Sequence, residues 1–454
     1  MVDVKISIIG AGSAVFSMSL IRDLCLTPGL SGSTVSLMDV NKERLDAVYA
    51  ICTRYAEETG SRLRIEKTLS RQESLRDADF VVNTALTASY TRLREGWSIA
   101  RKLGYRFGGS LHIMHDEAFW INFYQFRFFD LLMENILETC PDAWYIQLAN
   151  PVLAGVTYLG RKYRNVKTIG LCHGFSGVYN IIKTLGLESG KVSFEIPGVN
   201  HFIWLTRFTY SGENAFPLLD NWVSRDSEKY WKEINSSSDL GPKAVDLYKR
   251  FSVFPIGDTC TPGGGSWPWW YHIDEETEKR WREDPEAWWE GFFSYGQRTV
   301  EEMMRLSKDD SRGVTDVFPP EKSGEIIVPI IESIACDIPR VFQVNIINSE
   351  GFVSGVPTDF EVEVPAKVSR KGVQGIRVDG LPKNLVAYIL RDRVAPVEVE
   401  LEAYESGSLE RLIELVKMDP WTRSEEQANH LLNEIFSLPY HEEMRLHYKW
   451  KELG

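Results

Sequence analysis

Lys5-Ile6-Ser7-Ile8-Ile9-Gly10-Ala11-Gly12-Ser13 is the stretch that decides the fold. A short apolar run enters two glycines, and helical spacing follows from Ser17 to Leu26, with Leu20, Ile21 and Leu24 on one face. A buried parallel strand that ends in glycine and feeds a helix opens a dinucleotide-binding unit. Glycines at 10 and 12 let the backbone pass close to a pyrophosphate, with Ser13 at the helix start, where free amides and the helix dipole favour anions. Position 15 is Val15, so the third glycine of the full fingerprint is missing, and the motif draws its weight from its placement between strand and helix. Val35-Ser36-Leu37-Met38-Asp39 reads as the second strand. Asp39 ends it within range of the acidic residue that binds ribose hydroxyls, and a carboxylate there repels a 2′-phosphate. NAD is therefore expected over NADP.

Working outward, a helix is expected over 41–59, a strand over 79–84, a helix over 126–140, and strands over 144–148 and 166–172. This alternation predicts an α/β fold, with a Rossmann-like doubly wound parallel sheet in an NAD-binding domain of residues 1–195. Asn83, Thr84 and Asn150 end strands on the same carboxyl edge, where they would face the nicotinamide ribose and the substrate. After Val199 the pattern changes. Strands are expected at 202–205 and 207–210, long helices around 227–251 and 286–308, and strands at 340–347, 360–364 and 373–378. Helices follow from about residue 380. Residues 196–454 thus read as a mixed α+β domain for substrate, metal and oligomerisation. Pro262-Gly263-Gly264-Gly265-Ser266 has the composition of a mobile loop.

The chain has 454 residues, 43% hydrophobic and 25% charged, with a formal net charge of -13. An acidic surface argues against nucleic acid or an anionic membrane as the main partner. No apolar run is long enough to span a bilayer, and the N-terminus lacks a basic n-region. Six cysteines without scaffold spacing read as reduced thiols in a cytoplasmic compartment. Trp267, Trp269, Trp270, Trp281, Trp288 and Trp289 crowd one region. Core packing explains them better than a sugar site does. Arg92, Arg94 and Arg106 are candidates for a substrate carboxylate, with surface exposure the competing reading.

Cys172, in Gly170-Leu171-Cys172-His173-Gly174, and His201, in Gly198-Val199-Asn200-His201-Phe202, are candidate metal ligands. Cys172 ends a strand at the cofactor edge. A thiolate and an imidazole leave positions open for substrate and water. His173 is an alternative ligand or a substrate contact. Asp116 and Asp258 are candidates for an acid–base pair.

Taken together, these residues resemble glycoside hydrolase family 4, in the branch of α-glucosidases and α-glucuronidases. The resemblance rests on Gly-x-Gly-Ser at the start, Ala149-Asn150-Pro151, Cys172-His173-Gly174, Gly198-Val199-Asn200-His201, Pro255-Ile256-Gly257-Asp258-Thr259, Ser323-Gly324-Glu325, and Asp419 to Ser424 with Gln427. It implies a lactate/malate dehydrogenase-like architecture, NAD, Mn2+ on Cys172 and His201, Asn150 on the substrate, and a homodimer or homotetramer. It also implies a route that differs from the two-carboxylate scheme of most glycosidases. NAD+ takes hydride from C3 of the sugar, Asp258 removes the acidified C2 proton, and the aglycone leaves with a proton from Asp116. Water then adds and the hydride returns. His173 rather than Asn after Cys172 implies a substrate that is not 6-phosphorylated. Two departures touch substrate identity: Gly108-Gly109-Ser110-Leu111 stands where Gly-Ile-Asp-Ser is expected, and Thr261 where an Arg is expected. The competing readings are an NAD-dependent dehydrogenase of a sugar, polyol or hydroxy acid, and a non-catalytic NAD sensor.

Overall fold

A computed structural model describes residues 2–13, 15–233, 238–451 and 453. The first half alternates strand and helix. In chain order it runs β1 (Lys5–Ile9), α1 (Val15–Cys25), β2 (Thr34–Met38), α2 (Lys42–Glu58), β3 (Arg64–Thr68), α3 (Arg71–Leu75), β4 (Phe80–Asn83), α4 (Tyr90–Lys102), α5 (Phe119–Thr139), β5 (Trp144–Gln147), α6 (Val152–Lys162) and β6 (Lys167–Gly170). The strands are parallel in the order β3-β2-β1-β4-β5-β6, the doubly wound order of a dinucleotide-binding sheet. Successive side chains alternate between its two faces. Ile6, Ile8, Val35 and Leu37 pack with Leu20, Ile21, Leu24 and Ile51 on one side. Val81 and Tyr145 pack with Phe126, Phe129 and Met133 on the other.

The second half supplies β7 (Val192–Glu195), β8 (Gly198–Val199), β9 (Phe202–Leu205), β10 (Arg207–Tyr210), β11 (Glu213–Asn214), β12 (Phe254–Ile256), β13 (Arg340–Ile347), β14 (Glu361–Ser369) and β15 (Gly372–Gly375). Most of them extend the first sheet. β13 pairs antiparallel with β6, and β14, β8, β9 and β12 follow in turn, giving a sheet of 12 strands. β11, β10 and β7 form a separate three-stranded sheet.

Several expectations shift. The helix expected over 227–251 is two helices, Ser227–Glu233 and Pro242–Phe251, and residues 234–237 of that expectation lie outside the described residues. Pro242 opens the second helix, where its missing N–H has no cost. Helix α5 begins at Phe119, not Phe126, because its first turns are buried nearly all round and carry no amphipathic period. β3 escapes a hydrophobic reading because it is a polar edge strand. No helix among the described residues is long and apolar enough to cross a membrane.

Candidate active site

The glycine turn after β1 is held from three sides. Gly10 has φ +87, and a Cβ there would stand 2.6 Å from the Cα of Ala85, so only glycine fits. The Gly12 N–H donates to Oδ2 of Asp39 at 2.8 Å, and the Asn41 N–H donates to Oδ1 at 2.8 Å. Asp39 thereby buckles the turn to the end of β2. Thr84 Oγ1 donates to the carbonyls of Ile9 and Gly10 at 3.1 Å. Asn83 donates to Tyr145 Oη at 2.9 Å and accepts from the Ala85 N–H at 3.1 Å. Asn83 and Thr84 therefore sit on the expected edge but brace the turn with their polar groups. The Ser13 hydroxyl is buried just ahead of α1 and has no hydrogen-bond partner among the described residues.

On the same edge, Cys172 follows β6. His201 occupies a two-residue hairpin between β8 and β9, and Asp258 follows β12, which pairs with β9. The β9–β12 pairing sets His201 beside Asp258, and Cys172 joins them, with one ligand atom of each within 4.8 Å of the others. His201 Nε2 lies 4.0 Å from Oδ2 of Asp258. The hairpin is fastened by Thr259, whose Oγ1 accepts from the Ile203 N–H at 2.9 Å and donates to its carbonyl at 2.7 Å. His201 itself has φ +58, a left-handed conformation uncommon outside glycine and found where the surroundings over-determine it. Burial, with His115 alongside, pushes the His201 imidazole down to about 3, so the ring is neutral, as a metal ligand must be. Burial raises the Cys172 thiol, with Glu363 and Asp258 adding to it, against a 3.4 Å hydrogen bond from the Gly174 N–H. Burial also raises Asp258, against a hydrogen bond from Thr261 Oγ1 at 2.9 Å.

The acid candidate enters from the turn before α5. Asp116 Oδ2 accepts from Asn150 Nδ2 at 3.1 Å, which joins two residues singled out from the sequence. His115 Nε2 faces the Gly263 carbonyl at 2.9 Å, and its Nδ1 accepts from the Glu117 N–H at 3.3 Å. His115, Asp116 and Glu117 also cluster tightly enough for a cation, but His115 Nδ1 is already an acceptor. His173 lies outside the Cys172 group. It is exposed, and its Nδ1 is 3.3 Å from Glu325, which raises its pKa.

The loop expected to be mobile is pinned. Its carbonyls from Gly263 to Ser266 accept in turn from His115, Arg393, the Gly108 N–H, and Lys243. Trp267 and Trp289 are core residues at 2% exposure, in keeping with packing as the reason for the tryptophans. Arg92 stacks on Tyr440, Arg94 pairs with Glu290, and Arg106 donates to the His272 carbonyl, so each of these cations has a partner in the fold. Sequence reasoning missed Glu117, Glu361, Glu363 and Arg393, all buried. The signal for two of them was the charged alternation Glu361-Val362-Glu363-Val364 in an otherwise apolar strand.

These residues fit a dinucleotide and a divalent cation. A partnerless buried hydroxyl, Ser13, and a cradle that a Cβ at Gly10 would fill suit the first. A thiol and a neutral imidazole within reach of one another, with a carboxylate close enough to serve as base beside the cation, suit the second.

A dinucleotide turn and a metal-competent Cys–His–Asp group on one sheet edge define a Rossmann-type enzyme with two reaction aids. The model described as family 4 glycosyl hydrolase matches residues 5–188, and that of the family's C-terminal domain matches residues 196–422. The chain belongs to the family 4 glycosyl hydrolases. It is 25% identical over 433 residues to an alpha-galactosidase of Bacillus subtilis, covering 93% of this chain and 94% of that one. It is 24% identical over 410 residues to an alpha-galacturonidase of Lachnoclostridium phytofermentans, covering 85% and 84%. A 6-phospho-alpha-glucosidase from gut microorganisms, solved with NAD and Mn2+, shares the fold at TM-score 0.80 and 17% identity, covering 100% of both chains.

Proposed function

We propose that this chain hydrolyses a non-phosphorylated α-glycoside, an α-glucoside or an α-uronide (glucuronide or galacturonide), with NAD and Mn2+. One observation carries the reading: Cys172, His201 and Asp258 gather within 4.8 Å on the edge that bears the dinucleotide turn. The names of the related α-glycosidases support it. So does His173 after Cys172, the pattern that the family resemblance ties to unphosphorylated sugars.

When bound, the nicotinamide supplies reversible hydride removal at sugar C3 and the cation supplies polarisation of the neighbouring oxygens, which acidifies the C2 proton. Asp258 takes that proton, and its raised pKa brings it nearer to the working range of a base. Asp116 gives a proton to the departing oxygen at C1, with Asn150 fixing the carboxyl. Water adds at C1 and gives its proton back to Asp116, Asp258 returns a proton to C2 and the hydride goes back to C3, so the net change is hydrolysis. Asp39 at the ribose end favours NAD over NADP. Residues 1–195 would serve the cofactor and 196–454 the metal, the substrate and a homodimer or homotetramer. The six free thiols suit a cytoplasmic setting.

The test is a panel of p-nitrophenyl α- and β-glycosides, uronides included, with NAD+, Mn2+ and a thiol reductant. Product formed in D2O should carry deuterium at C2. Product without it, from an enzyme indifferent to NAD+, refutes the reading. Net NADH release instead of aglycone release indicates a dehydrogenase.

A further inference from the structure

His115, Asp116 and Glu117 form one turn whose side chains reach three different elements. His115 reaches the Gly263 carbonyl, Asp116 reaches Asn150, and Glu117 reaches His201. Glu117 is 1% exposed and His201 5%. Oε1 of Glu117 lies 3.5 Å from Nδ1 of His201, and neither atom has a hydrogen-bond partner among the described residues. The other ring nitrogen, Nε2, faces Asp258.

An imidazole that binds a cation through Nε2 keeps its proton on Nδ1. That N–H needs an acceptor if the ring is to hold one tautomer and one orientation. The hairpin already fixes the His201 backbone, and the edge-on His115 ring at 5.9 Å limits the side chain on one side. What is left is rotation of the ring itself, and Oε1 of Glu117 stands where it would stop that rotation. We infer that Glu117 is a positioning residue: its carboxyl oxygen Oε1 accepts the Nδ1–H of His201 and holds Nε2 toward the cation. The inference rests on the metal reading above. It has a mechanical corollary. Asp116 and Glu117 are adjacent, so the proton donor and the metal support are carried by one turn and move together.

The test uses the purified full chain, stripped of metal with EDTA and titrated with Mn2+ by the electron paramagnetic resonance signal of the free ion. NAD+ affinity and melting temperature are read in parallel. Glu117→Ala should weaken Mn2+ binding by about 10–100-fold. Glu117→Gln, whose amide oxygen still accepts, should keep most of the affinity. Glu117→Asp falls one methylene short and should behave like alanine. NAD+ affinity should be unchanged in all three. Should the alanine variant fail to fold, the contrast between Gln and Asp still decides. Wild-type Mn2+ affinity in Ala and Asp, or equal losses in Gln and Ala, overturns the role of Glu117. A wild type that takes up no Mn2+, or a Cys172→Ser variant that takes it up normally, overturns the metal reading instead.

Discussion

Thr261 contributes a single hydroxyl, and that hydroxyl sets how easily Asp258 gives up its proton. It donates to Oδ1 at 2.9 Å and opposes the upward push of burial. A base works only when deprotonated. Thr261→Val should therefore raise the Asp258 pKa further and move the acid limb of the kcat/KM profile to higher pH. The profile, measured at saturating NAD+ and Mn2+, should shift without loss of the plateau. A limb that stays put or moves down removes Asp258 from the role of base. Cys172, His201, Asp116 and Asp258 could be read in the chain because they stand in local motifs. Thr261 stood out only as a departure from pattern, and Glu117 as nothing at all. The value of both lies in which atom faces them, and no spacing encodes that.

At the scale of elements, the segment from Gly108 to Asp116 has to be held still, and Asp419 holds it. Its carboxylate accepts from the Ser110 N–H at 2.8 Å, the Ser110 hydroxyl at 3.0 Å and the Trp421 N–H at 2.8 Å. A Cβ at position 109 would lie 2.5 Å from Oδ2 of Asp419, so any larger residue there would push that carboxylate from its place. Asp419→Ala strands three buried donors and should cost roughly 2–4 kcal/mol. Calorimetry should register a lower melting temperature, and activity should fall as the turn carrying Asp116 loosens. An unchanged melting temperature would show that the segment is held by other contacts. The Asp419 motif was visible in the sequence, but its partner, Ser110, lies 309 residues away in the very stretch that departs from the family pattern. β13 was legible over its full length, 340–347. That it would lie beside β6 was not, since an antiparallel joint to a distant strand leaves no local trace.

For the whole molecule, buried ionisable groups set a pH window. His272 and His441 are fully buried, and burial pushes each down to about 3. Their folded pKa is depressed below the ordinary 6.5, so the stability they support is complete above that value and is lost as pH falls toward 3. Asp419 runs the other way. Burial raises it to about 6, so its contribution is complete below the ordinary carboxylate range and is lost as pH rises through about 6. Glu363, raised to about 8, and Glu117 and Glu361, raised as well by burial, act in the same direction as Asp419 and oppose the histidines, so the contribution of one histidine is read by difference. The melting temperature of the metal-free wild type should exceed that of a His441→Gln variant, and the gap should shrink as pH falls from about 6.5 to about 4.5, because only the wild type must keep this imidazole neutral. A gap that stays constant or widens removes the buried neutral histidine from this role.

The joint between β6 and β13 also has a clock in it. Gly170 and Asn345, paired there, are 175 residues apart. At a synthesis rate of roughly 5–20 residues per second, the later strand leaves the ribosome roughly 9–35 s after the earlier one. For that interval the nascent chain carries a finished parallel sheet with one raw flank, an edge that any other extended peptide can join. Slower growth temperatures lengthen the wait, and holdase chaperones shield it. The yield of correctly folded enzyme should therefore depend on how that flank is guarded until the last third of the chain arrives to cover it.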